Sequence, residues 1–289
     1  MASAYGQGVG TRPLVLKFGG ELLEDSARLE VVAQAIVRIA AAGAPVAIVH
    51  GGGKEIDAAL KTAGIPKQQV DGLRITDSDT LDVVVAVLAG TVNTRFVSAL
   101  VTRGVPAVGL TGADGGCGRA ELAPPHRSVD GRDVDLGRVG IPASNADPSV
   151  VETLGTAGYV PVIACIGLAD DGQLLNVNAD TFAGHLAARL GARRLVIAGT
   201  TAGVLDASGS TVPRLDPGSL ESMISSRTAT AGMVAKLRAC GYALSHGVRD
   251  VVIVDGRDGP ALEAAALEAA PDRATRIVAE TAAASKMSN

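Results

Sequence analysis

The sequence predicts an α/β fold, a three-layer αβα sandwich around a mainly parallel open sheet, arranged in two lobes. Hydrophobic residues make up 47% of the 289-residue chain but aromatic residues only 2%, so the core must consist of Ala, Val, Leu and Ile. This composition favours buried parallel strands covered by Ala-rich helices. Short apolar runs also alternate with segments of helical periodicity, and two of these runs end in glycine-rich turns. Together these observations indicate the βαβ units of a doubly wound sheet.

The first half of the chain shows this alternation clearly. Residues 14–18 are a short apolar run that ends at Gly19 and Gly20, which predicts a buried strand followed by a tight turn. Three glycines, at residues 51–53, follow the second apolar run in the same way. The pattern predicts strands at residues 14–18, 45–49, 107–110 and 160–166, and helices at residues 26–42, 54–63, 77–103 and 148–157. Residues 115–142 are rich in Gly, Pro and charge, which predicts β-hairpins or flaps over a site.

The second half continues the alternation without any repeat of 20 to 50 residues. We predict helices at residues 179–190, 219–227, 233–246 and 261–270, strands at 194–198 and 251–254, and a closing edge strand at 275–278. Residues 199–216 form a polar turn region. We expect residues 1–13 to be a disordered tail, residues 14–182 the first lobe and residues 183–289 the second lobe.

Charge and cysteine usage exclude several classes of protein. The formal net charge of -4 leaves no basic excess for a nucleic-acid backbone. The three cysteines are far apart and lack CxxC spacing, so we expect buried or free thiols instead of disulfides or a zinc site. The first residues are polar, and no stretch approaches about 18 uninterrupted apolar residues. We therefore expect a cytoplasmic protein without membrane or nucleic-acid partners.

The glycine turns suggest an anionic ligand. The Walker pattern is absent because Gly53 and Lys54 are followed by Glu55, and no GxGxxG motif opens a helix after the first strand. Glycines nevertheless let backbone N–H groups approach an anion, and a following helix adds the positive end of its dipole. Phosphate or carboxylate is the expected guest.

Several polar residues could serve such a ligand. Lys17 lies on an apolar strand just before the first glycine turn, at the sheet edge where α/β proteins bind ligands, although a solvated strand end is the alternative. Arg74 could grip a carboxylate or lie on the surface. Lys236 begins a helix, where a bound polyphosphate or a snorkelling side chain would explain it. His50 is interpreted as a turn-stabilising hydrogen bonder, outside the catalytic set.

A further polar cluster stands at the entrance to an apolar helix. Asn176, Asn178 and Asp180 are short polar residues close together in the chain, and helix capping accounts for one of them but not for all three.

The ordered set of motifs resembles the amino acid kinase family, in particular its branch that acts on N-acetyl-L-glutamate. The likeness runs from about residue 14 to residue 278, and its motifs are specific as a set. They are Lys17-Phe18-Gly19-Gly20, His50-Gly51-Gly52-Gly53, Gly72-Leu73-Arg74-Ile75-Thr76, Asn176-Val177-Asn178-Ala179-Asp180 and Gly232-Met233-Val234-Ala235-Lys236.

The resemblance implies that ATP phosphorylates the side-chain carboxylate of N-acetyl-L-glutamate, as in arginine biosynthesis. The substrate would bind the first lobe and ATP the second, with Mg²⁺ held mainly through ATP and no metal ligands from the protein. The implied catalytic residues are Lys17, Lys236 and Asp180, where Asp180 orients the two lysines. Substrate contacts are implied for Gly52, Gly53, Arg74 and Asn176, and nucleotide contacts for Gly19, Gly20, Thr200, Gly203, Leu205 and Gly232.

The sequence also departs from the family pattern. Relatives usually carry Asp where Thr200 falls, in a loop that borders the nucleotide. Arginine-inhibited members of the family carry an N-terminal helix, but in this sequence Gly6, Gly8, Gly10 and Pro13 disfavour a helix there. We therefore expect an arginine-insensitive homodimer joined through the long helix of the first lobe. Two alternatives stay open: a related kinase acting on glutamate or aminoadipate linked to a carrier protein, and a catalytically silent ligand-binding homologue.

Overall fold

The computed structural model describes residues 12–225, 231–267 and 273–279, and has an eight-stranded sheet at its centre. The helices, all bounded within these residues, are α1 (Ser26–Ala41), α2 (Gly53–Ala63), α3 (Ser78–Val85), α4 (Asn93–Val101), α5 (Ser149–Thr156), α6 (Ala179–Arg189), α7 (Pro217–Ser225), α8 (Ala231–Ser245) and α9 (Gly259–Leu267). The strands of the large sheet are β1 (Leu14–Phe18), β2 (Val46–His50), β5 (Ala107–Thr111), β10 (Val160–Ala164), β13 (Arg194–Gly199), β14 (Arg214–Leu215), β15 (Asp250–Asp255) and β16 (Ala274–Val278).

Smaller sheets cover one end of the large one. They comprise β3 (Gln69–Val70), β4 (Leu73–Arg74), β6 (Ala120–Leu122), β7 (His126–Arg127), β8 (Asp133–Val134), β9 (Val139–Pro142), β11 (Ile166–Leu168) and β12 (Leu174–Val177). Strands β11, β12, β9 and β6 form one sheet in that order, and β3–β4 and β7–β8 form two hairpins. The β-hairpins predicted over residues 115–142 are confirmed by β6 to β9.

The large sheet confirms the predicted fold class. Its order is β14-β16-β15-β13-β1-β2-β10-β5, and the pairing is parallel everywhere except between β15 and β16. Every residue of β1, β2, β10 and β13 is buried, as expected for parallel strands covered on both faces. Helices α1, α4 and α9 pack together, and α6 packs against α8, which gives the helix layers of the sandwich.

Two sequence expectations about the strands need correction. The strand predicted at residues 275–278 is not the edge, because β14 pairs outside it. The predicted strand at 160–166 is two strands, since the chain leaves the large sheet after Ala164 and continues as β11.

The predicted tail is at least two residues too long. Arg12 donates hydrogen bonds to the carbonyl oxygens of Gly191 and Gly247, and Pro13 accepts one from the backbone of Arg193. Residues 1–11 lie outside the described residues, as do the predicted helix ends at 226–227 and 268–270.

The long helix predicted over residues 77–103 contains a π-helical segment, Ala86–Val92, between α3 and α4. The stretch Ser78–Val101 is long and apolar enough to cross a membrane by length and composition, with 39% of its most apolar window buried. Core helices of soluble proteins pass the same test, and this one packs against β5 and β10 through α4.

Candidate active site

A cavity of about 290 Å³ opens where the first two central strands end. The carboxyl ends of β1 and β2 lie side by side there, which is the usual ligand position in an open parallel sheet. Eight of the predicted site residues line the cavity: Lys17, Gly19, Gly20, Gly52, Gly53, Arg74, Asn176 and Asp180.

Two glycine turns form the cavity wall and touch each other. A Cβ built on Gly20 would lie 2.6 Å from the Cα of Gly52, and one built on Gly52 would lie 2.9 Å from Leu88. Any side chain at either position would displace backbone or core atoms, because real Cβ atoms do not approach this closely. Glycine therefore lets both backbones converge on the cavity.

An ion pair between Lys17 and Asp180 forms the charged end of the cavity. Lys17 Nζ lies 2.8 Å from Asp180 Oδ1, and only 10% and 12% of the two side chains are exposed. Burial disfavours the charged lysine, but the Asp180 carboxylate outweighs it, so the pKa of Lys17 is raised above its ordinary value. Lys17 is therefore held charged at neutral pH.

Lys236 approaches the same strand ends from α8. A Cβ built on Gly199, the last residue of β13, would lie 3.6 Å from Lys236 Nζ and 3.7 Å from Glu21 Oε1. Burial lowers the pKa of Lys236, as does the nearby Lys17, while Asp180 opposes the shift. An anion bound between the two lysines would favour the charged form of Lys236.

Arg74 and Asn176 form another polar part of the cavity lining. Arg74 Nη2 lies 2.5 Å from Asp57 Oδ1, whereas its buried Nη1 has no hydrogen-bond partner among the described residues. A buried guanidinium donor without a partner is costly, so a bound acceptor would stabilise it. Asn176 donates its side-chain N–H to Thr76 Oγ1 at 3.1 Å. This part of the lining is suited to a carboxylate.

Four predicted nucleotide-binding residues do not line this cavity. Thr200 accepts a hydrogen bond from Arg257 through its carbonyl oxygen, and Leu205 is 44% exposed. Gly203 has φ of 97°, and a Cβ built on it would lie 2.5 Å from Thr275 Oγ1. A glycine at this position therefore allows the chain to pack closely against β16. Gly232 lies in the first turn of α8, where a Cβ would meet nothing within 4 Å.

Sequence reasoning missed several residues that line the cavity. Glu21, Leu73, Leu88 and Val139 were not singled out. Glu21 directly follows the first glycine turn and Leu73 directly precedes Arg74, so their position in the motifs was an available signal. Leu88 and Val139 carry no such signal, because only the fold brings the long helix and β9 to this place.

His50 lies outside the cavity and supports its glycine turn. The ring is fully buried, with Nδ1 3.2 Å from the carbonyl oxygen of Gly51 and Nε2 3.0 Å from the side-chain nitrogen of Asn93. Burial lowers the pKa of His50 to about 4, so the ring is neutral near pH 7. These contacts agree with the turn-stabilising interpretation.

Residues that could hold a metal ion are few. Within residues 12–225, 231–267 and 273–279, no group of three or more His, Cys, Asp or Glu side chains is placed to bind one. Two carboxylates, Glu21 and Asp180, line the cavity. They fit a divalent cation only if ligand oxygens and water complete its coordination.

Residues 12–255 match the amino acid kinase family. The chain belongs to the amino acid kinase family. Acetylglutamate kinase from Acidiphilium cryptum is 41% identical over 249 residues, covering 84% of this chain and 83% of that protein. Acetylglutamate kinase from Novosphingobium aromaticivorans is 39% identical over 265 residues, covering 89% and 87%. The family resemblance inferred from the motifs is thus confirmed.

Solved structures share the amino acid kinase fold. N-acetylglutamate synthase from Neisseria gonorrhoeae, complexed with coenzyme A and N-acetyl-glutamate, has a TM-score of 0.77 and 25% identity over 93% of this chain. The match spans 60% of the synthase. Carbamate kinase from Giardia lamblia bound to AMP-PNP has a TM-score of 0.66 at 14% identity, covering 94% of this chain and 99% of the kinase. The second likeness concerns the fold alone.

Proposed function

We propose that this amino acid kinase transfers the γ-phosphoryl group of ATP to the side-chain carboxylate of N-acetyl-L-glutamate, forming N-acetyl-L-glutamyl 5-phosphate in arginine biosynthesis. The proposal is supported by relatives about 40% identical over most of the chain that are acetylglutamate kinases. The observation that carries it is one cavity lined both by the Lys17–Asp180 ion pair and by Arg74, whose buried Nη1 has no hydrogen-bond partner among the described residues. Two cationic groups in one cavity are suited to a dicarboxylate.

The reaction needs no general base. A side-chain carboxyl group with an ordinary pKa of about 4.3 is already ionised at neutral pH. One carboxylate oxygen forms a bond to the γ-phosphorus, the bond from that phosphorus to the β,γ-bridging oxygen breaks, and ADP leaves with the electron pair. The protein therefore has to align two anions and neutralise their charge.

We assign the following roles to the site residues. Lys17 and Lys236 neutralise the transferring phosphoryl group, Asp180 orients the lysines, and the amides of Gly20, Gly52 and Gly53 donate to anionic oxygens. Arg74 and Asn176 bind the α-carboxylate region. The assignment is supported by the ion pair of Lys17 and by the approach of Lys236 to the end of β13.

ATP is proposed to lie over the second lobe, residues 183–289, and the substrate in the first, residues 14–182. Nucleotide contacts from Gly19, Thr200, Gly203, Leu205 and Gly232 remain part of the proposal, and those from residues 200–205 would be made largely by backbone. Mg²⁺, when bound, supplies charge neutralisation on the phosphate oxygens, with Glu21 and Asp180 available to it directly or through water.

A carrier-linked substrate is less well supported. A carrier protein would favour a basic entrance, but three of the four arginines of the flap are paired with acids: Arg119 with Asp170, Arg127 with Asp133, and Arg132 with Asp130. The silent homologue is opposed by the presence of both lysines and Asp180.

The test is an ADP-release assay with ATP, Mg²⁺ and N-acetyl-L-glutamate, in which hydroxylamine traps the acyl phosphate. Glutamate, aspartate and aminoadipate are run beside it. Hydroxamate formed only from N-acetyl-L-glutamate is the expected result. No turnover of any of the four would favour a carrier-linked substrate or the silent homologue.

Assembly and regulation extend the proposal. We expect a homodimer joined through the long helix Ser78–Val101, located in the cytoplasm and insensitive to arginine. A hexamer that arginine inhibits would contradict this part of the proposal without affecting the reaction.

A further inference from the structure

A second cavity, of about 460 Å³, adjoins the proposed substrate site. It lies between the flap strand β9 and the helices α6 and α8, and most of its wall is apolar. Its lining includes Ala123, Leu136, Ile141, Pro142, Ala235 and Ala239. The cavity is larger than the substrate site itself, and no residue proposed for phosphoryl transfer lines it.

The two cavities share three wall residues: Leu73, Val139 and Asn178. Leu73 immediately precedes Arg74 on β4, and Val139 is the partner of Asn176 in the ladder between β9 and β12. The apolar boundary between the cavities is therefore next to the two residues that we assign to the α-carboxylate.

Substrate orientation then determines what faces this boundary. The reacting carboxylate must lie at the Lys17–Asp180 end, and the α-carboxylate at Arg74. The N-acyl group of an N-acylglutamate is attached to the same carbon as the α-carboxylate. It must consequently lie beside Arg74, where Leu73 and Val139 provide the apolar surface.

We propose that this enzyme also phosphorylates N-acyl-L-glutamates with longer, unbranched aliphatic acyl chains, which pass between Leu73 and Val139 into the second cavity. The proposal rests on the proposed function. An uncharged chain suits the walls, because burying apolar surface is favourable and burying a charge is not. Two basic residues also line the cavity: Arg238 is exposed, so its charge can stay in solvent, and His185 does not add a charge near pH 7, since burial, with Arg189 and His246 nearby, lowers its pKa to about 4.

The first experiment compares kcat/KM for N-acetyl-, N-propionyl-, N-butyryl- and N-hexanoyl-L-glutamate in the hydroxamate assay. A closed apolar pocket discriminates against one extra methylene by about 10- to 200-fold in kcat/KM. An acyl chain that can extend into the second cavity should escape most of this loss. We expect kcat/KM for the butyryl substrate to equal or exceed one tenth of the acetyl value. A lower value overturns the inference while leaving the proposed function intact, whereas no hydroxamate from any substrate overturns both.

The second experiment uses a matched pair of variants. Ile141→Trp fills the second cavity from a position that is 44% exposed, and Leu122→Trp places the same ring on the adjacent strand β6, at a 53% exposed position that lines neither cavity. We expect Ile141→Trp to lower the butyryl-to-acetyl ratio of kcat/KM at least fivefold relative to Leu122→Trp. A smaller difference overturns the inference. Using a ratio removes any loss of folded enzyme from the comparison.

Discussion

Lys17 and Asp180 place opposite charges 2.8 Å apart in a nearly buried position, and this arrangement makes the lysine difficult to replace. Changing Lys17 to Met should lower kcat about 100-fold or more, the typical cost of removing a donor that stabilises transition-state charge. Breaking a buried pair also destabilises the fold, by about 3–5 kcal/mol, so kcat must be measured below the melting temperature of the variant.

A matched control variant separates a catalytic role of Lys17 from the general effect of removing a positive charge. Lys54→Met removes a lysine that is 71% exposed and paired with Glu24. We expect near-normal kcat for this variant. If the activity of Lys17→Met recovers fully once the folded fraction is corrected for, the proposed role of Lys17 is wrong.

Arg74 is assigned to a carboxylate that does not react, so its loss should act on binding. Replacement by Gln should raise KM for N-acetyl-L-glutamate about 10- to 150-fold, the equivalent of a hydrogen bond to a charged group worth about 1.5–3 kcal/mol. Because the interaction is similar in ground and transition states, kcat should change much less. Steady-state kinetics with varied substrate measure both.

The control for Arg74 is Lys67→Gln. Lys67 shares the Asp57 partner, with its Nζ 2.8 Å from Asp57 Oδ2, but it does not line the cavity. An equal rise in KM in both variants would mean that Arg74 acts only by supporting Asp57.

At the scale of elements, a buried hydrogen-bond chain joins β2 to the long helix. Asn93 donates to His50 Nε2 and, at 2.8 Å, to the carbonyl oxygen of Val162, linking β2, the start of α4 and β10. The π-helical segment Ala86–Val92 directly precedes Asn93 and brings Leu88 and Val92 against Gly52. The position of the glycine turn thus depends on helix packing.

The buried His50 in this hydrogen-bond network predicts that the stability of the protein depends on pH. The pKa of His50 is about 4 in the folded protein and about 6.5 when unfolded. Above pH 6.5 the His50 imidazole is neutral in both the folded and the unfolded protein, so it does not affect stability. As the pH falls from 6.5 to 4, the imidazole of the unfolded protein binds a proton before that of the folded protein. The unfolding free energy should therefore fall by up to about 1.4 kcal/mol per pH unit from this group.

Urea unfolding at pH 7, 6 and 5 measures the slope. His50→Gln should show a shallower slope than the wild type. Parallel slopes for wild type and His50→Gln would contradict a neutral buried imidazole.

The sequence predicts an element well when the residues that determine it lie within one short stretch of the chain. Lys17 and the first glycine turn were predictable because a continuous apolar run marks a buried strand and glycines mark its end. Strands β3 and β4, two residues each, are too short for any periodicity. β12, which carries Asn176, was hidden for a similar reason: it is four residues long and only partly buried.

Long-range packing explains the remaining misses. Gly203, which we propose as a nucleotide contact, also lies so close to Thr275 on β16 that a side chain would clash, and the sequence pattern does not reveal this second cause for glycine. The π-helical segment is one extra residue per turn within an otherwise regular helical pattern, so apolar spacing predicts only a continuous helix.

At the scale of the whole molecule, the two ends of the large sheet have different roles. At the amino ends of β13 and β15, Arg194 grips Asp250 with two hydrogen bonds of 2.7 Å, and Arg276 of β16 donates to the same carboxylate. Burial opposes ionisation of Asp250, but the two arginines lower its pKa below the usual value. The shared carboxylate and its two arginines link β13, β15 and β16, whereas the opposite end of the sheet holds the converging lysines and the Nη1 of Arg74, which has no hydrogen-bond partner among the described residues.

The outer face of the long helix supports a prediction about the assembly. Ala86, Gly90 and Thr94 are exposed at four-residue spacing, and these small residues would let a second helix approach closely. Light scattering coupled to gel filtration should give twice the mass of the chain. Gly90→Arg should yield monomers, because a Cβ at Gly90 meets nothing within 4 Å in its own chain, so the arginine can obstruct only a partner. Ala58→Arg, exposed on α2, should stay dimeric; a dimer that survives Gly90→Arg would exclude this helix as the interface.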